Sequence, residues 1–174
     1  MPLVKLDPAP GVADDIWRFV EDDAELPADG CVVVSAARFS ADSDALLTRN
    51  MQIGVRLSPA DDPSDLAEHM DRIALVEISF PKYTDGRGYS QAQLLRRRYG
   101  YDGELRAVGE VLRDQLLFMA RSGFDAFQFD PTSGEAAATI EAALSEFTDA
   151  YQPAADTRRP VYAQRAAART PVNA

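Results

Sequence analysis

Five apolar, β-branched runs alternate with helical patterns between residues 31 and 150, and nothing else in the chain constrains its fold as much. The runs lie near 31–36, 53–57, 73–80, 105–111 and 125–129, and the helical patterns near 41–51, 63–71, 90–99, 113–122 and 135–150. Parallel strands cannot be joined by tight turns, so each crossover returns as a helix over a face of the sheet. The expected fold is therefore α/β, with a mostly parallel five-stranded sheet and helices on both faces. A partial βα-barrel uses the same repeating unit and is the alternative. The punctuation agrees: Ser40 or Asp42 to cap the first helix, Pro63 at a first helical position, Gly100 and Gly123 as stops and Ser133 to open the last helix.

The flanks read differently. Residues 1–29 form an N-terminal strip in which 13–22 is expected to be an amphipathic helix, with Ile16, Trp17, Phe19 and Val20 on its apolar side. Residues 30–151 make the α/β domain. From 152 to 174 the chain is rich in Ala, Pro, Thr and Arg without apolar periodicity, which predicts a basic, flexible and disordered tail. That tail carries +3, so the body before it carries −13 of the net −10. An acidic body argues against nucleic acid as a partner, because phosphate contact relies on Lys and Arg. The apolar runs are too short for a membrane span, and no apolar signal segment follows Met1, so a cytoplasmic location is expected. The single cysteine, Cys31, cannot form an internal disulfide or supply the ligand set of an iron–sulfur cluster or a structural zinc. No cofactor or metal is expected.

Chemistry is best placed at the segment Phe80 to Gln91, which leaves the strongest strand and enters a helix. Ligands of α/β sheets bind at the carboxyl ends of strands, and a helix N-terminus offers free N–H groups to an anion. Gly86 and Gly88 would let backbone approach a ligand, Arg87 presents a planar fork, Tyr89 stands beside it, and Ser90 is a natural N-cap after Asp85. The next strand ends at Glu110 and Asp114 on the same rim, near enough to Arg87 for a mixed-charge site able to move a proton. The plain alternative is a glycine-containing loop with a surface arginine, and a capping role for Asp114.

Three inner strands each carry one charge among apolar neighbours, Arg56, Glu77 and Arg106. Buried charges must be paired, which predicts an Arg–Glu–Arg chain across the sheet, either supporting the rim site from below or spread over strand ends and edges. His69, the sole histidine, lies in a polar helical stretch and is expected on a solvated face. Dinucleotide and phosphate-loop fingerprints are absent, because Gly86-Arg87-Gly88 has no third glycine at the required spacing.

Taken together, the stretch Asp85 to Ala92, Leu95-Arg96, Gly103 to Gly109, Asp114-Gln115 and Arg121 to Asp125 resembles a bacterial family known as domain of unknown function 934. The likeness is strongest from Asp71 to Phe129. It implies an accessory protein of assimilatory sulfite reduction, within sulfate assimilation, described as a probable oxidoreductase or oxidoreductase-associated protein. On that implication the partner is the reductase, its electron donor or a small sulfur anion. One cysteine cannot supply the ligands of the sirohaem and iron–sulfur centre that reduces sulfite, so the chain is not expected to be the reductase. The alternative is an enzyme acting on a small phosphorylated or sulfur-containing substrate at the rim.

Overall fold

The computed structural model describes residues 1–7, 9–131 and 135–169. Five parallel strands lie where the apolar runs place them: β4 (Cys31–Ser35), β5 (Ile53–Leu57), β6 (Ile73–Phe80), β7 (Glu104–Gly109) and β8 (Ala126–Gln128). Three short strands precede them, β1 (Leu3–Lys5), β2 (Gly11–Ala13) and β3 (Trp17–Phe19). The sheet therefore has eight strands rather than five, in the order β2-β1-β8-β7-β6-β5-β4-β3. Strand β1 runs antiparallel to both β8 and β2, while β3 joins the opposite edge parallel to β4.

The expected helix over 13–22 is not formed. Val12 pairs with Val4, and Trp17 and Phe19 pair with Cys31 and Val33, so the strip satisfies its backbone on the two open edges of the sheet. Only four residue steps, about 14 Å of extended chain, separate β2 from β3. Eight strands laid flat would put those edges about 34 Å apart. The sheet is accordingly curled into a half-barrel, and residues 14–16 run across its open side. The partial βα-barrel is thus the arrangement adopted.

Curling also decides where the helices go. Alternate strand residues Val32, Val34, Val55, Leu57, Val76, Ile78, Leu105, Ala107 and Phe127 share one apolar core with Phe39, Leu46, Leu66, Ala92, Leu95, Met119 and Ile140. The last seven come from α1 (Ala36–Leu47), the 3-10 helix Pro63–His69, α2 (Arg87–Arg97), α3 (Leu116–Ser122) and α4 (Ala136–Ser145). These helices therefore cover the convex face alone, and not both faces as an open sandwich would require. Successive right-handed crossovers on a curling sheet all return on its outside.

Helix starts and stops follow local chemistry. The hydroxyl of Ser35 accepts from the Arg38 amide at 3.0 Å and caps α1, whereas Asp42 sits at a kink inside that helix. Ser40 and Asp42, expected as caps, thus both lie inside α1. Pro63 opens its 3-10 helix behind Asp62, which accepts from the Ser64 amide at 2.9 Å, and Gly123 ends α3 in the left-handed conformation at φ 112°. Ser133, expected to open the last helix, lies outside the described residues. The tail is not uniformly disordered: α5 (Val161–Arg169) is helical, as its run of Ala, Gln and Arg favours, and an isolated bridge joins Ala150 to Pro160.

Gly88 is where α2 settles on the sheet. A β-carbon there would lie 2.6 Å from Phe80 Cζ and 2.9 Å from Ile78 Cγ2. Overpacking of this kind costs about 1–3 kcal/mol, more than the roughly 0.5–1 kcal/mol that alanine gains over glycine in a helix. Gly88→Ala should therefore lower the urea midpoint by an amount equivalent to about 1–2 kcal/mol. Gly86→Ala, with nothing within 4 Å of the new carbon, should leave it unchanged.

Candidate functional site

The carboxyl ends of β5 and β6 hold a cleft of about 570 Å³ between Ser58-Pro59-Ala60 and the loop from Pro81 to Arg87, lined also by Lys82, Thr84, Asp85 and Gly86. Its far wall is fixed from inside. The buried Gln91 donates from Nε2 to the carbonyls of Ser58 and Asp61, 2.8 Å each, and Asp61 in turn accepts from the Ser58 amide at 2.6 Å. Its near wall is fixed by the next strand. Glu110 accepts from the Tyr83 amide at 3.1 Å, and Gln115 donates to the Tyr83 carbonyl at 2.7 Å. Gly109 makes this possible: at φ 99° its backbone passes so close that a β-carbon would lie 2.5 Å from the Phe80 carbonyl oxygen.

Arg87 stands at the mouth with 62% of its side chain exposed, gripped on both sides by Asp85. Nε and Nη2 meet the two carboxylate oxygens at 3.0 and 2.7 Å, and the Arg87 amide donates to Asp85 at 3.2 Å. The guanidinium fork, expected to be open for an oxyanion, is therefore held by an internal carboxylate. The same side-chain contact, followed by the amide, holds the Asp85 carboxyl at about 2, below its ordinary 3.8. Because the folded value is depressed, the pair stabilises the fold above the unfolded value and loses that contribution as pH falls through about 2. An NMR titration of the Asp85 carboxyl should show a midpoint near 2, returning to the ordinary range in Arg87→Ala.

The other rim residues sit nearby with different tasks. Tyr89 is half-buried, edge-on to Phe80 at 5.7 Å between ring centroids, and burial followed by the charge of Asp114 pushes its hydroxyl above the usual range. That makes it a donor at neutral pH and not a base. Ser90 is inside α2, whose N-cap is Gly86, so it caps nothing. Gly88 serves helix packing and not ligand approach. Asp114 lies in the first turn of the short 3-10 helix Arg113–Gln115, and Glu110 is spent on Tyr83 and not on Arg87.

The second group is assembled as the strand pattern predicts. Arg56, Glu77 and Arg106 are direct cross-strand neighbours on the concave face. Glu77 accepts from Arg56 Nε at 2.7 Å and from Arg106 Nη1 at 3.4 Å. Four further residues complete the set. Glu104 accepts from Arg106 Nε and Nη2 at 2.8 and 2.6 Å, Lys5 reaches Glu104 at 2.7 Å, and the Phe19 ring lies 3.8 Å from the Arg56 guanidinium carbon. Asp15, in the segment that crosses the open side, meets Arg106 Nη1 with both oxygens at 3.1 Å. Arg106 is fully buried. Burial works against its charge, but Glu104, then Asp15 and Glu77, more than restore it. Three cations and three carboxylates close this network to neutrality, so it supports the half-barrel from its hollow side.

Sequence reasoning missed Ser58, Lys82 and Thr84 at the cleft, though two prolines after strand ends, Pro59 and Pro81, mark both loops. It missed Glu104 although Glu104 and Arg106 are two apart on one strand and share a face. Elsewhere, His69 packs edge-on against Phe39 at 5.6 Å, and Cys31 begins a buried strand. Among the described residues no helix is long and apolar enough to cross a membrane.

No curated protein matches the chain. A family model described as a bacterial protein of unknown function (DUF934) matches residues 54–162, a stretch that contains both walls of the cleft, Arg56, Glu77 and Arg106. The chain belongs to that family.

Proposed function

We propose that this protein is an accessory component of assimilatory sulfite reduction, and that the Asp85–Arg87 rim is the face it presents to the reductase or to that enzyme's electron donor. The observation that carries the reading is the bidentate Asp85–Arg87 pair, 62% exposed on its arginine side, at the lip of a cleft at the carboxyl ends of the strands. An exposed, solvent-screened pair of this kind adds little to its own fold, so a partner can exchange it at little cost. Fixed charges at a rim give specificity and fast encounter more than raw affinity. Lys82 and Thr84 extend the same lip, giving a small sulfur anion a second place to bind beside the partner. The pathway itself comes from the family resemblance and from the single cysteine, which leaves this chain to serve a redox centre held elsewhere.

An enzymatic reading of the cleft is weaker. Glu110 is committed to the Tyr83 amide and Arg87 to Asp85, so neither is free to move a proton across the site. Isothermal titration of the purified chain with purified sulfite reductase and with its reduced electron donor tests the proposal. Binding to one of them, weakened about tenfold or more by Arg87→Ala and reduced by salt, is the expected result. Absence of binding to either, or binding indifferent to Arg87, removes it.

A further inference from the structure

A second surface, sharing no lining residue with the rim cleft, lies on α3, the segment after α4 and the tail. Helix α3 starts above the carboxyl end of β7 and finishes at the amino end of β8, and α4 is followed by Phe147 to Gln152 and then the tail. There Phe118, Phe147 and Tyr151 line a groove of about 360 Å³, and Tyr151 also lines a second groove, of about 770 Å³, with Tyr162 and Arg165 of α5. These four aromatics are 54%, 56%, 84% and 63% exposed, and Tyr151 links the two grooves they line, which also hold Arg121, Asp149, Arg158 and Arg165. The geometry is held in place: the Val161 amide donates to the Ala150 carbonyl at 2.8 Å, the Ala155 amide to Arg121 at 2.9 Å, and Arg158 to the Phe147 carbonyl at 2.8 Å.

Helix α5 adds the second observation. None of residues 161–168 is buried, and a nine-residue helix is too short to be stable in water by propensity alone. Its aromatic side awaits a covering surface. Charge says what kind. Arg159 and Arg165 are exposed and form no ion pair among the described residues, in a tail of +3 attached to a body of −13. A second copy meeting this surface about a two-fold axis would set Arg159 and Arg165 against their own counterparts. A second copy docking through its acidic body is the competing occupant, and a crosslink of the chain to itself would reveal it.

We propose that Phe118, Phe147, Tyr151 and Tyr162 form a docking site for an acidic segment of a different protein, which inserts an apolar side chain beside Tyr151 and sets carboxylates against Arg159 and Arg165. Buried aromatic anchors supply the affinity at such sites, and rim charges supply its salt dependence. This surface shares no lining residue with the Arg87 cleft, so it stands or falls separately from the rim.

The test is photo-crosslinking of the full chain in the bacterium, with benzoylphenylalanine placed at Tyr151 or Tyr162 and, as control, at the exposed Met51. The expected result is one protein captured from both tail positions and not from Met51, joined through a segment of net negative charge. The purified partner should then lose affinity about tenfold or more on Tyr151→Ala, weaken between 0.05 and 0.3 M salt, and be indifferent to Arg87→Ala. Capture of a second copy of this chain, capture through a neutral or basic segment, absence of any adduct, or affinity unmoved by Tyr151→Ala would each overturn the proposal.

Discussion

Replacing Arg106 by alanine is expected to lower the free energy of unfolding by about 3–5 kcal/mol, the usual result of removing one partner from a buried ionic cluster. The side chain is fully buried and faces Glu77, Glu104 and Asp15, all within 3.4 Å of its nitrogens. Without it, Glu77 keeps only Arg56 and Glu104 keeps only Lys5, while Asp15 loses its hold on the concave face. Three carboxylates would be left to two cations, and the repulsion would fall hardest on the buried Glu77. Equilibrium urea unfolding monitored by circular dichroism measures the loss as a shift in midpoint. Arg106→Lys should lie between alanine and wild type, because an ammonium keeps the charge but cannot serve three carboxylates with a planar fork. A loss below about 1 kcal/mol would mean that water or a rearranged strap compensates for the missing cation.

Arg96→Ala is expected to cost about 3 kcal/mol or more for a different reason. This one side chain ties α2 to the amino ends of β7 and β8: Nε donates to the Gly123 carbonyl at 2.9 Å, Nη1 to the carbonyls of Tyr101 and Gly103, and Nη2 to Asp125 at 2.6 Å. Asp125 in turn accepts from the Leu105 amide at 2.9 Å. Hydrogen bonds from a charged donor contribute about 1.5–3 kcal/mol each, and a group of them sharing one residue is not additive. Glycine at 103 and 123 fits the same knot, since a β-carbon would strike the Tyr101 hydroxyl at 2.4 Å or Arg96 Cγ at 2.5 Å. Thermal and urea unfolding of Arg96→Ala should both show the loss. The motif residues Leu95-Arg96, Gly103 and Asp125 therefore belong to the framework, and their loss should reach function only through stability.

How much of this was legible in the residues follows from what each feature depends on. The five parallel strands depend on local apolar periodicity and turn residues, and 53–57 and 73–80 match to the residue. The charge chain across Arg56, Glu77 and Arg106 was legible for a related reason, since a lone charge in a buried strand has to find a partner on the next one. The N-terminal strip was not legible. Its helix-like spacing of Ile16, Trp17, Phe19 and Val20 is overridden by two unpaired sheet edges that exist only once the distant strands have assembled. Asp15 belongs to the same class, because no local pattern announces that curling brings residue 15 over residue 106. At the rim, what each side chain touches depends on neighbours that local pattern does not announce. Asp85 and Arg87 are two apart and satisfy each other, and Gly88 answers to Phe80 on the strand beneath it.

The half-barrel carries the charged Asp85–Arg87 rim at the carboxyl ends of β5 and β6, and separate aromatic grooves along α3 and the tail. Growth of a strain lacking this gene on sulfate, sulfite, sulfide or cysteine as sole sulfur source tests the functional account most directly, with wild type and Arg87→Ala supplied in trans. Growth on sulfide and cysteine but poor growth on sulfate and sulfite, restored by wild type and not by Arg87→Ala, is the expected result. Equal growth on all four sulfur sources would contradict it.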